Sequence, residues 1–144
     1  MDENLKHWFT GFEKAIAQMK QQERESLFSE CGKNCADRWV LNIYRDLFGK
    51  VNGDLDIFFA AINNAEGVRG EVIEPGKKYN LYFEKCFCGM HNEGYLNSPF
   101  LCECSRQSVL YVFKTLLPEK NFGVELCSTV LQGGDECKLT ITMN

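Results

Sequence analysis

At Gly70 the hydrophobic period of this chain changes, and that change sets its fold class. Upstream, apolar residues recur at steps of three and four. One set is Leu5, Trp8, Phe9, Phe12, Ile16 and Met19; a second is Trp39, Val40, Ile43, Tyr44 and Leu47; a third is Ile57, Phe58, Ala61 and Ile62. Such spacing lines one face of a helix. Downstream, Glu71 to Glu74 and Lys77 to Cys88 flank Pro75-Gly76, residues suited to the two central positions of a type II turn. The helical period returns from Ser105 to Leu117, and Pro118 stops it. A second hairpin, 122–131 and 136–143, flanks Gly133-Gly134-Asp135. The expected fold is α+β: an antiparallel sheet of about four strands in two hairpins, with N-terminal helices and one inter-hairpin helix packed on it. A length of 144 residues suits a single domain, with a helical part over 1–66 and a hairpin-helix-hairpin part over 67–144.

Finer punctuation is visible in the helical part. The polar run Gln21 to Arg24 predicts a bend, followed by a short helical turn over Ser26 to Glu30. Gly32 suits the position just past a helix end, and Asn34 suits an N-cap with Asp37 three residues on. On that reading Cys31 closes one helix and Cys35 opens the next. Asp54 caps a third helix from Leu55 to about Asn64.

Half of the eight cysteines fall between Glu84 and Arg106, as Cys86-Phe87-Cys88 and Cys102-Glu103-Cys104. If the strand runs through Cys88, then Cys86 and Cys88 share a face. Cys102 and Cys104 follow Pro99 at a helix start, where free N–H groups and the helix dipole favour thiolate. A strand end facing a helix start predicts a four-thiolate zinc site of Cys86, Cys88, Cys102 and Cys104, with His91 able to replace one ligand. The competing reading is buried, unliganded cysteines. Cys-x-Cys is also a poorer chelate than the Cys-x-x-Cys of zinc ribbons. Cys31 and Cys35 read as a redox pair, as extra ligands, or as small fillers at a helix junction; the filler reading is favoured, with Lys33 and Arg38 keeping the reactive one open. Cys127 and Cys137 read as separate core residues. With a three-residue loop Cys127 faces Ile141 and Cys137 faces Leu131, about 13 Å apart, too far for a disulfide.

Twenty Asp and Glu against sixteen Lys and Arg, with no basic patch, argue against nucleic acid as partner. No apolar run approaches the roughly 20 residues that span a membrane. The start, Met1 to Trp8, lacks the basic and apolar regions of a secretory signal, so the expected location is the cytoplasm, with thiols reduced or metal-bound. The Trp8-Phe9-Phe12 face predicts a homodimer.

The tail resembles a known family. Val124-Glu125-Leu126, then Gly133-Gly134-Asp135-Glu136-Cys137-Lys138-Leu139, resembles the closing hairpin of the 4-vinyl reductase domain, which an apolar helix precedes as Ser105 to Leu117 does here. That likeness covers mainly Leu101 to Ile141. The family is similar to ligand-binding domains of nitric-oxide signalling and vesicle-tethering proteins, and is described as binding small, often hydrophobic molecules. The likeness implies a small-molecule pocket; it does not imply a reductase. From about Leu27 onward the chain resembles still more closely a group of uncharacterised bacterial cysteine-rich proteins. They combine a Cys-Gly-x-x-Cys-Ala segment, two Cys-x-Cys pairs and a Gly-Gly-Asp-x-Cys tail. Many of them have Gly and Trp where this chain has Gln107 and Ser108.

Three functional classes follow. The first is a small-molecule-binding or regulatory module whose cysteine cluster either fixes the pocket wall or binds zinc, with Cys31, Cys35, His91 and Arg106 as further site candidates. The second is a thiol enzyme with Cys102 or Cys104 as nucleophile, activated by the helix start and Arg106. The third is a structural zinc interaction domain.

Overall fold

The computed structural model of the chain describes residues 1–64, 67–84 and 88–144. Helices α1 (Glu3–Gln18), α2 (Gln21–Arg38), α3 (Val40–Lys50) and α4 (Leu55–Ala61) precede strands β1 (Val68–Glu74) and β2 (Lys78–Phe83). A short helix α5 (Gly89–Asn92), helix α6 (Cys102–Leu116) and strands β3 (Phe122–Ser128) and β4 (Cys137–Met143) complete it. The strands form one antiparallel sheet in the order β1-β2-β4-β3. The α+β architecture with two hairpins is therefore the one the period change predicts.

Alternation explains the layers. Tyr79, Leu81, Val124, Leu139, Ile141 and Met143 point to one side and pack against Leu41, Tyr44, Phe58, Phe59, Val112 and Phe113 of the helices. Phe59 stacks between Tyr79 and Phe113, with ring centroids 4.6 and 5.8 Å away. On the opposite face, the Glu71 carboxylate accepts from Asn80 and from the Tyr82 hydroxyl, and Thr140 donates to Asn80. At the first hairpin Lys77 N donates to Glu74 O, and Gly76 has φ +73°, as the Pro-Gly turn requires.

The bend falls earlier than predicted. Met19 and Lys20 are extended between α1 and α2, and α2 then runs unbroken through Cys31, Gly32, Asn34 and Cys35. Gly32 does not end a helix. A Cβ there would stand 2.7 Å from Ser108 N and 2.8 Å from Cys104 O, so glycine is what allows the α6 backbone to cross α2 so closely.

Two strand readings are also corrected. β2 ends at Phe83, whose partners Val68 and Cys137 are the first residues of β1 and β4, and Glu84 N then donates to Gly67 O just outside the ladder. Cys88 is consequently the N-cap of α5, not a strand residue. In β3 the register passes from Leu126↔Leu139 to Ser128↔Lys138, leaving Cys127 in a bulge. Ile141 pairs with Val124 instead.

Candidate functional site

The chain after Met19 turns back under the start of α6, and a cleft of about 410 Å³ opens there between α2, the turn Pro99–Leu101, α6 and β3. β3 is an edge strand, so its outer carbonyls need partners. Arg106 supplies one: its Nη1 donates to Val124 O at 3.0 Å. The same guanidinium donates through Nε to both oxygens of Glu103, at 3.1 and 2.9 Å, and its Nη2 lies 3.3 Å from Glu25. Glu103 is only 6% exposed. Gln21 and Gln107 donate to it as well, at 3.1 and 2.8 Å, so the buried carboxylate is fully engaged. Arg24 closes the far side, its guanidinium 4.0 Å from the Phe100 ring centroid and its Nη1 donating to Ile16 O at the end of α1.

Arg106 was legible as a candidate; Glu103 was not. It hides between two cysteines, and its signal is the helical spacing to Arg106 and Gln107, three and four residues on.

The thiols are distributed differently. Cys31 and Cys35 lie one turn apart on α2 and are exposed, so neither fills a junction. Gly32, between them, touches the backbone of Cys104. Cys104 and Cys88 are half-buried and pack against one small core of Ile16, Phe28, Leu96 and Leu101. The Cys104 thiol is pushed up to about 12, first by burial and then by Cys31, Cys35, Cys88 and Glu103 as charged neighbours. Cys88 and Cys104 thus share one small core, and the Cys104 backbone meets α2 at Gly32, between Cys31 and Cys35 in the chain. Cys102 is buried and sits two helical positions from Cys104, about 200° around α6. Cys86 lies outside the described residues. Among the described residues, no three His, Cys, Asp or Glu side chains already stand at ligating distance from one point.

His91 Nδ1 is 3.0 Å from Leu96 O, an interaction that fastens the α5 loop. Cys127 is exposed, not core, because its bulge turns it outward, 3.1 Å from Thr140 Oγ1. Cys137 is half-buried and accepts from Val130 N. A second cleft, about 340 Å³, lies at the other end of the sheet. There Asp56 accepts from Gly76 N at 3.0 Å and from the Tyr79 hydroxyl at 2.7 Å. Those two bonds hold Asp56 below the ordinary carboxylate range.

No family description and no curated protein matches the chain. The solved structures to which the chain is similar include three of distant sequence. A crystal structure of an H-NOX protein from S. oneidensis in the Fe(II)NO ligation state is 15% identical, with TM-score 0.49, over 94% of this chain and 72% of that one. An NMR structure of an H-NOX domain from Shewanella oneidensis in the Fe(II)CO ligation state is 16% identical, with TM-score 0.43, over 86% and 65%. A crystal structure of trafficking protein particle complex subunit 3 from Naegleria fowleri, covalently bound to palmitic acid, is 12% identical, with TM-score 0.40, over 98% and 95%. Likenesses this distant carry no function across. No described helix is long and apolar enough to cross a membrane.

Proposed function

We propose that this chain is a small-molecule-binding or regulatory module whose ligand enters the cleft between α2, α6 and the edge of β3. One observation carries the reading: Arg106 is held on the cleft floor by Glu103, Glu25 and the Val124 carbonyl. A guanidinium carries five N–H donors, and these partners engage one each on Nε, Nη1 and Nη2, so Arg106 keeps donor capacity for a polar group in the cleft it lines. Phe100, Val124 and Leu126 supply apolar walls, and the volume falls in the range of small-ligand sites. Thiol catalysis is less well supported. Burial raises Cys104, the reverse of an activated nucleophile, and Cys102 is itself buried. On this reading the protein works in the cytoplasm and pairs as a homodimer through α1, where Trp8 is 64% exposed.

The test is a thermal-shift screen of small polar and amphipathic molecules. A compound that raises the melting temperature of the wild type should not raise that of Gln132→Trp, which places a large ring over the cleft from an exposed position. Equal shifts in both proteins would refute the cleft as the site.

A further inference from the structure

The helix crossing that hides Gly32 also sorts the cysteines. α2 presents Cys31 and Cys35 at i and i+4, the spacing that stacks side chains on one helical face. α6 crosses α2 at Gly32, one residue past Cys31 and three before Cys35, with the Cys104 carbonyl at the contact, and α5 begins at Cys88, which packs with Cys104 against the same small core. Cys102 is directed elsewhere by the turn of α6. We infer that Cys31, Cys35, Cys88 and Cys104 form a four-thiolate site for a zinc-class ion, taking one cysteine from each Cys-x-Cys pair and both cysteines of the α2 pair.

The chemistry selects the ion. Four thiolates and no carboxylate suit zinc and other soft ions and exclude magnesium and calcium. A Zn–S bond is about 2.3 Å, so the sulfurs must close in from their present positions. Cys31 and Cys35 are exposed, so packing does not fix their χ1 rotamers. Each thiol releases its proton to solvent as its sulfur takes the ion, and nothing is oxidised or reduced. The bound ion would tie α2, α5 and α6 together, and it does not depend on the cleft holding a ligand.

The experiment uses the full chain, purified under reducing conditions, freed of metal and titrated with cobalt(II). The wild type should bind one ion per chain and develop sulfur-to-cobalt charge-transfer absorption with tetrahedral ligand-field bands. Cys31→Ser and Cys35→Ser change exposed residues, so folding should survive, as circular dichroism would verify. Each should lose about a quarter of the charge-transfer intensity and bind more than about tenfold more weakly. Cys102→Ser should leave the spectrum unchanged. An absent charge-transfer band in the wild type would overturn the site. So would a spectrum that withstands Cys31→Ser and Cys35→Ser, and if it then vanished in Cys102→Ser the ion would belong to the two Cys-x-Cys pairs instead.

Discussion

Gly32 lies so close to Cys104 that a Cβ on the glycine would stand 2.8 Å from the Cys104 carbonyl oxygen. The atoms in the way are backbone, and α6 cannot shift without disturbing β3 and the core beneath it. Gly32→Ala should therefore destabilise the fold by about 1–3 kcal/mol, although alanine favours helix by up to about 1 kcal/mol. Gly11→Ala is the comparison. It is also helical, but its Cβ would meet nothing within 4 Å, so it should stabilise by about 0.5–1 kcal/mol. Urea denaturation of the two variants should move the midpoint in opposite directions.

Glu103 is buried, and Arg106 depends on it. Glu103→Ala should cost about 3–5 kcal/mol, because it leaves the guanidinium of Arg106 and the amides of Gln21 and Gln107 short of an acceptor. Replacing both charged partners, Glu103→Leu with Arg106→Met, should recover much of that loss. Chemical denaturation of the single and double variants gives the comparison. A double variant no better than the single would show that the pair contributes through something other than mutual neutralisation.

Asp56 sets a pH dependence with a definite sign. The Gly76 N–H, then the Tyr79 hydroxyl, lowers its folded-state pKa below the unfolded one. A carboxylate so depressed contributes stability that is present above the unfolded value, near 4, and is lost as pH falls through the folded value. The stability gap between wild type and Asp56→Asn should therefore be largest near neutrality and close in acid. Glu71 is depressed in the same direction by Tyr82 and Asn80, so the variant keeps part of its acid sensitivity. Thermal melts of both proteins from neutral to acidic pH measure the gap; one that widens in acid would contradict the assignment.

What the sequence made legible was local. The period change at Gly70, the Pro75-Gly76 turn, the Asp54 cap and the helix after Pro99 all rest on neighbours within a few residues, and the structure has them. Gly32 misled because a glycine past a helix end and a glycine under a crossing helix look alike in one dimension. The end of β2 was hidden for a related reason: Val68 and Cys137 set it, and both are distant in the chain. For the thiols, the helix start expected at Cys102 is present, but the turn of α6 separates Cys102 from Cys104 and the crossing at Gly32 leaves Cys104 with α2, a contact distant in the chain. Glu103, the centre of the cleft floor, carried no signal beyond helical spacing.

Native mass spectrometry of the full chain, prepared under reducing conditions, tests the account most directly. The wild type should retain two separable additions, a metal ion and a small organic ligand. Cys35→Ser should shed the ion and keep the ligand, whereas Gln132→Trp should shed the ligand and keep the ion. A wild-type chain that carries neither addition, and gains neither after incubation with zinc and with compounds from the thermal-shift screen, would contradict both the cleft and the thiol site.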